Sequence, residues 1–557
     1  MKKILIINLR RLGDVYTTGH LVNSITKANG SSVSLLVYKE TISAATNLKN
    51  VKNLFSIDRK EIITLKSNKL FSDGFALEQL FSQLQEIKNQ KWDEIVNYSN
   101  DLVGAYICSY LRKSTEKIIG THFNRNRNRN NAAGSEWEML FNDVLPVIKY
   151  APLHFIDCYH KMLNVPADRE GEKLLTSSSH NAIAFSNMST LREEKAEAKS
   201  STKTVGIQLK TSDSSKDIPE EIIIELLTLL KGTPILIPVL LIAPFADERK
   251  YAQEINNHFE GQIAVVESTL QEAASVLMNI DILITPDTVV KHIADLTDTP
   301  VLEISLGQAP FLKQGSYTNG SLVLTDLITS RSFIKAKNEV LKKTNISAQD
   351  IVSSVLYYFT KTKSIRPILS NDVTLYTCSF DHLGARYSVA AGSVDAHTEI
   401  HRLMSRQLIN LLYEQTESPE IYSDVTNFGA PTVSNWSKNE SCNITAVMKD
   451  LLGTLRTLLQ SQENKNSSKD FVFNLGKLIS HSENNTLVQI PLMMFKAKIE
   501  SITAKTFEQN AKEVEMLLYE LKTDIQKVIS CIRRLEEKTV TQRKDDFMKR
   551  VAHLSAN

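Results

Sequence analysis

Short apolar runs alternate with amphipathic stretches over the first two-thirds of the chain. Residues 4–9 form a β-rich run that stops at the turn Leu12-Gly13-Asp14, and a helical stretch follows to about residue 27. Residues 33–37 and 54–57 read as a second and third strand. Over residues 75–87, Leu77, Leu80, Leu84 and Ile87 share one helical face. Residues 94–98 and 117–120 read as further strands, with a helix over 102–111 between them. Such alternation predicts a parallel sheet covered on both faces. Around residues 176–201 the chain turns polar, with Ser177-Ser178-Ser179 and then a Lys/Glu/Ala-rich stretch, which reads as a linker. The alternation then restarts. Strands are expected at 204–209, 235–242, 263–266, 282–285 and 301–305, with helices at 220–230, 248–257, 270–278 and 288–296 and a final helix over 347–359.

Beyond about Lys361 the pattern changes. Residues 374–380 and 386–390 suggest a small hairpin, followed by helices at 397–413, at 445–460 and from about 492 onward. In the last, Phe507, Ala511, Val514, Leu518, Leu521, Ile525, Val528, Ile532 and Leu535 advance by steps of four and three, a heptad seam. Two readings stand: one long helix of an internal bundle, or a coiled coil that pairs with a second copy or a partner helix. The expectation is an α/β protein of two Rossmann-like domains, 1–180 and 200–360, followed by a mainly α-helical C-terminal region, 361–557.

The bulk numbers narrow the class. A chain of 557 residues exceeds what one core serves, and 42% hydrophobic with 23% charged residues is an ordinary globular composition. A net charge of +2 argues against a global nucleic-acid binder. The five cysteines are scattered and odd in number, without a CxxC, so reduced thiols are expected and neither a disulfide framework nor a zinc site. The opening apolar residues 4–7 are cut off by Asn8, Arg10 and Arg11 and read as a strand rather than a signal peptide. The most apolar window, residues 234–243, is about half of what spans a bilayer. The chain is therefore read as cytoplasmic, with at most peripheral contact at the inner face of a membrane.

Two loops carry candidate chemistry, both at carboxyl ends of expected strands, where open α/β sheets bind ligands. The first, Asn8 to Asp14, lacks the glycine pattern of a dinucleotide site. Asp14 there reads equally as a helix cap or as a general base for a sugar hydroxyl. The second is DILITPDTVVKH, residues 281–292, where a helix start would offer free N–H groups to a diphosphate and His292 would lie about one turn in. On spacing alone, His292 reads as easily as a structural histidine, and Lys291 as a solvated charge.

Together these segments carry a family resemblance. KILIINLRRLGDVYTT resembles the opening of glycosyltransferase family 9, the bacterial heptosyltransferases. DILITPDTVVKHIADLTDTPVLEISLG resembles that family's second signature. Trp92-Asp93-Glu94-Ile95-Val96, His154-Phe155-Ile156-Asp157 and VGIQLKTSDSSKDIPEE resemble intermediate features, so the likeness covers roughly residues 1–360. It implies a GT-B fold, with acceptor on the N-terminal domain and nucleotide sugar, of the ADP-heptose type, on the second. It further implies inverting transfer with neither metal nor resident cofactor. Asp14 would be the base, Lys216 would meet the donor diphosphate, and Asp247 the ribose or adenosine. Asp287, Thr288 and His292 would meet the donor's phosphates and sugar. Lys216 also reads as a surface lysine, and Asp247 as a cap of the helix that follows. The sequence departs from the family at Val289, where a glycine is usual, at Ile218 in place of an aromatic, and at Leu209-Lys210 in place of the loop glycine.

Arg125, Arg127 and Arg129 alternate with asparagines. They read as a solvated loop or, with Arg10, as a clamp for an anionic acceptor such as a phosphorylated lipopolysaccharide core, or for a protein. Nucleic acid is disfavoured because no aromatics are interleaved to stack bases. Two functions compete: a glycosyltransferase, and a catalytically weakened GT-B scaffold that binds or assembles through its helical tail.

Overall fold

A computed structural model describes residues 1–67, 72–113, 117–123, 129–130, 135–147, 152–195, 202–306, 310–326, 344–360, 366–463, 468–502 and 506–555. The chain forms two compact units. One joins residues Met1–Arg129 to Leu153–Val394, and the other joins Asn130–Pro152 to Asp395–Asn557.

The first unit holds two sheets. The N-terminal sheet comprises β1 (Lys3–Asn8), β2 (Ser32–Tyr38), β3 (Val51–Ile57), β4 (Glu94–Asn97) and β5 (Lys117–Ile119), all parallel, in the order β3-β2-β1-β4-β5. Its central strand is buried from Ile4 to Asn8, so it reads as one unbroken apolar run, whereas the edge strand β3 is half-exposed. Helix α1 (Leu12–Asn29) follows β1 and stops at Gly30, whose left-handed backbone (φ 58°) lets its N–H bond the Thr26 carbonyl.

The second sheet repeats the plan. It contains β6 (Lys203–Gln208), β7 (Leu236–Ile242), β8 (Ala264–Glu267), β9 (Ile282–Thr285), β10 (Val301–Ser305) and β11 (Leu322–Asp326), parallel in the order β8-β7-β6-β9-β10-β11. Two more strands, β12 (Val373–Asp381) and β13 (Gly384–Gly392), extend it antiparallel beyond β11. The hairpin expected at 374–380 and 386–390 thus continues this sheet, and Val373, Leu375 and Ala391 lie in its hydrophobic core.

The polar stretch read as a linker is helical from Ser178 to Lys195. Its reason is an anchor: the Arg192 guanidinium donates to the Thr204 hydroxyl (2.8 Å), the Asn279 carbonyl (2.9 Å) and Asp281 Oδ2 (3.0 Å). Helix α2 (Phe155–Leu163) is capped by His154, whose Nδ1 accepts from the Ile156 N–H at 3.2 Å. Helix α3 (Val289–Leu296) follows β9.

The second unit is mainly helical. Its long elements are Ala396–Ile409, Ala430–Glu463, Gln489–Glu500 and Phe507–Ser555. The expected heptad seam is real as a stripe: Ala511, Val514, Leu518, Leu521, Ile525, Val528, Ile532 and Leu535 are all buried. They are buried within the chain itself, where this helix packs on Ala430–Glu463 and Gln489–Glu500. No described helix is long and apolar enough to cross a membrane.

Candidate functional site

Both sheets have a switch point, where strand order reverses and the connecting loops part. In the first it lies between β1 and β4, in the second between β6 and β9. Asp14, Lys216, Asp287, Thr288 and His292 gather at these two places. At the first, the Leu9 N–H donates to the Ser99 hydroxyl (2.6 Å) and Arg10 Nε to the Ser99 carbonyl (2.6 Å), which ties the loop after β1 to the loop after β4. Buried Asn8 donates from Nδ2 to the Asp14 carbonyl (2.7 Å) and the Thr18 hydroxyl (2.8 Å), pinning the first turn of α1.

Asp14 sits in that first turn. The N-cap is Arg11, so Asp14 is not the cap; instead the Arg11 backbone N–H points at its carboxylate. Burial pushes the Asp14 carboxyl above its ordinary value. Arg10 and Arg11 pull it back, and the charge of Asp287 adds to the rise. A carboxylate made more basic in this way suits a proton acceptor.

Glycine at position 13 lets α1 approach α3. A Cβ there would lie 2.9 Å from His292 Cδ2 and 3.8 Å from the Val289 Cα. Gly19 does the same six residues on, against Leu296 and Leu48. The turn bearing Asp14 is thereby set against the start of α3.

At the second switch point, Gln208 at the end of β6 accepts at Oε1 from the hydroxyls of Thr285 (2.7 Å) and Thr288 (2.6 Å). Thr288 is the N-cap of α3, but its side chain makes no cap bond, which leaves the first N–H groups of the helix available to an anion. Asp287 is held by two lysines, Lys216 Nζ on Oδ2 (2.8 Å) and Lys291 Nζ on Oδ1 (2.6 Å). Burial would raise its carboxyl, yet the charged Lys291 and Lys216 hold it well below the usual range. Lys216 is therefore no free surface lysine; its side chain is 19% exposed and anchored.

Lys291 overturns the expectation of a solvated charge. Its side chain is fully buried, paired with Asp287 and with Glu303 Oε1 (3.3 Å), and it donates to the Gln314 carbonyl (2.9 Å). Two features could have found it: its place four residues after Asp287, and a glutamate in the middle of the apolar run VLEIS. A charge buried in such a strand needs a counter-charge. Burial and Lys291 keep the His292 imidazole neutral, with its pKa lowered to about 3, and His292 Nδ1 stands 3.9 Å from Asp295 Oδ2.

The structure thus brings Asp14, Lys216, Asp287, Thr288 and His292 to the facing switch points. Arg10 lies beside Asp14, exposed and bonded to the Ser99 carbonyl. Asp247 is exposed in the first turn of the helix Ala246–Asn257, whose N-cap is Phe245, so it does not cap that helix. Among the described residues no hydrogen bond or ion pair joins it to the cluster. Arg125 and Arg127 fall outside the described residues, and Arg129 lies in the two-residue strand Arg129–Asn130. Sequence reasoning missed Gln208, Ser99, Lys291 and Glu303, whose roles appear only once the strands are side by side. Among the described residues no group of three or more His, Cys, Asp or Glu side chains is placed to hold a metal.

Solved structures similar to this chain include a family 9 glycosyl transferase from Veillonella parvula, at 14% identity and a TM-score of 0.45, covering 65% of this chain and 98% of that one. They also include the ADP-heptose lipopolysaccharide heptosyltransferase II of E. coli, at 12% identity and 0.43, covering 65% and 99%. A third is an E. coli heptosyltransferase with ADP, at 14% and 0.43, covering 64% and 99%. No curated protein matches in sequence. A family model supports a glycosyltransferase: residues 81–306 match glycosyltransferase family 9 (heptosyltransferase), the family whose resemblance the sequence carries.

Proposed function

We propose that this protein is an inverting glycosyltransferase that moves a heptose or related sugar from a nucleotide-sugar donor, of the ADP-heptose type, to an anionic glycolipid or protein acceptor. The observation that carries this reading is the contact of Gly13 with His292. It sets a carboxylate of raised basicity beside a helix N-terminus, with a lysine and a neutral imidazole in attendance.

In the proposed reaction Asp14 takes the proton of the acceptor hydroxyl. That oxygen attacks the anomeric carbon from the face opposite the nucleoside diphosphate, which leaves with the bonding electron pair, so the configuration inverts. The developing charge on the diphosphate meets Lys216, an N–H of His292 and the first N–H groups of α3. Asp287 serves the donor through Lys216, because both its oxygens are committed to lysines. Thr288 frames the same site from its bond to Gln208, and Asp247 is proposed for the nucleoside. Arg10 and the run Arg125, Arg127, Arg129 are proposed for the acceptor's anionic groups. No step uses a metal.

The test is transfer by the purified full chain from ADP-heptose, with and without EDTA, alongside Asp14→Asn. We expect wild-type activity to survive EDTA. The variant should fall by about two to four orders of magnitude, the usual contribution of a positioned base, with ADP affinity retained. A chain that binds ADP but transfers no sugar to any acceptor would favour the scaffold reading, to which Val289 and Leu209-Lys210 lend support.

A further inference from the structure

A cavity of about 490 Å³ lies farther along α1 and α3 than the residues assigned above. His20 of α1, Arg169 of the segment after α2, Asp295 of α3, Tyr317 ahead of β11 and Phe380 of β12 all contribute to its wall. It therefore touches α1 of the N-terminal half of the first unit and α3 and β12 of its second half. Its size falls within the roughly 300–1,000 Å³ of small-molecule sites.

Two of its polar atoms have no hydrogen-bond partner, though both are buried: Nδ1 of His20, a residue 3% exposed, and Nε of Arg169. An unpaired buried polar atom calls for a partner beyond the protein's own groups. The rest of the wall defines what that partner is. Arg169 lies over the Phe380 ring at 4.4 Å and stands 3.6 Å from Asp157 Oδ1, so its charge is already faced by a carboxylate. Glu170, Asp295 and Asp298 add further carboxyl groups, which disfavours an anion. The His20 ring meets Tyr317 edge-on at 4.9 Å, so two aromatic rings supply an apolar surface beside donors and acceptors of both kinds. A molecule with many hydroxyls and apolar C–H faces matches this wall; a phosphate or a hydrocarbon does not.

We propose that this cavity is a second carbohydrate site, distinct from the Asp14–His292 cleft, for a neutral sugar of one or two rings. Hydroxyls of the sugar would accept from Arg169 Nε–H and pair with His20 Nδ1, while its C–H face would rest on Phe380 and Tyr317. The cavity also has a physical route to the cleft, since the Asp295 carboxylate on its wall stands 3.9 Å from His292 Nδ1.

The test is saturation-transfer NMR on the full chain with sucrose, maltose, lactose and methyl α-mannoside, each in the absence and presence of saturating ADP. We expect at least one to bind and to stay bound with ADP present. Arg169→Met should weaken that sugar by about tenfold or more. Because Arg169 also touches Asp157, a second variant, Asn319→Trp, closes the cavity mouth from an exposed position and should do the same. The proposal is overturned if none of the four sugars binds, if ADP displaces the sugar, or if both folded variants bind it like wild type. Calorimetry with ADP is read separately, so the cavity can fail with the nucleotide site intact, and the reverse.

Discussion

Gly13→Ala is the substitution whose effect the structure specifies most closely. The new methyl would lie 2.9 Å from His292 Cδ2 and 3.5 Å from its Nε2. Carbon atoms rest at about 3.5–4.0 Å, so the imidazole must retreat by roughly 0.6–1 Å. Overpacking of this kind costs about 1–3 kcal/mol. Residue 13 lies in the first turn of α1 without a positive φ, so alanine also regains about 1 kcal/mol of helix propensity. The gain offsets part of the cost and leaves about 0–2 kcal/mol, so the melting temperature should fall by a few degrees at most. Catalysis has no such offset. A shift of about 1 Å in a group that meets the leaving diphosphate costs on the order of 10²-fold in rate. The assay is ADP release from the donor at saturating acceptor, set beside thermal unfolding of the same preparation. A folded Gly13→Ala protein that turns over at the wild-type rate would refute the placement of His292 at the donor.

Three further outcomes are expected. Lys216→Ala and His292→Ala should each weaken ADP binding by about 1–3 kcal/mol, as for a lost hydrogen bond to a charged group, with acceptor affinity unchanged; calorimetric titration checks this. Acid should destabilise the first unit, because burial lowers the pKa of His154 and His160 to about 4, of His292 to about 3, and of His20 well below its ordinary value. The unfolded chain takes up these protons near pH 6.5 and the folded one only below about 4. The histidines' contribution is therefore full above about pH 7 and falls by about 1.4 kcal/mol per histidine on reaching about pH 5.5, offset in part by buried Asp295, whose pKa is raised to about 7 and which takes up its proton in the folded state; urea unfolding at the two values measures the net loss. Leu521→Asp with Ile525→Asp places charge in a seam buried inside the chain, so circular dichroism should show lost helix while light scattering shows an unchanged mass.

Much of the first unit is legible in the sequence because buried parallel strands are unbroken apolar runs, and the strands β1, β6, β7, β9 and β10 announce themselves as such. The polar helix Ser178–Lys195 is not, since it has little amphipathic contrast and its anchor, Arg192, binds groups more than ten residues away. The hairpin β12–β13 is visible as two strands, but its partner β11 is not, so its membership of the second sheet depends on a pairing across some fifty residues. At the site, the Gly-Asp turn and the β9–α3 loop stand out by residue type. Gln208 and Glu303 do not, because Gln208 acts on the end of the neighbouring strand β9 and the loop after it, and Glu303 on Lys291 of α3; such pairings in a sheet whose strand order differs from chain order are invisible along the sequence. The segment Asn130–Pro152 gives no sign that its partners begin at Asp395.

That discontinuity has a consequence in time. Leu140, Phe141, Val144 and Leu145 are buried in the second unit, whose other part starts at Asp395. On a ribosome adding roughly 5–20 residues per second, the 243 residues from Pro152 to Asp395 take roughly 12–50 s to appear. For that interval an apolar segment waits with its own partners not yet made. A slower-translated message would lengthen this exposure in proportion, and a holding chaperone that shields the segment should raise the yield of folded chain.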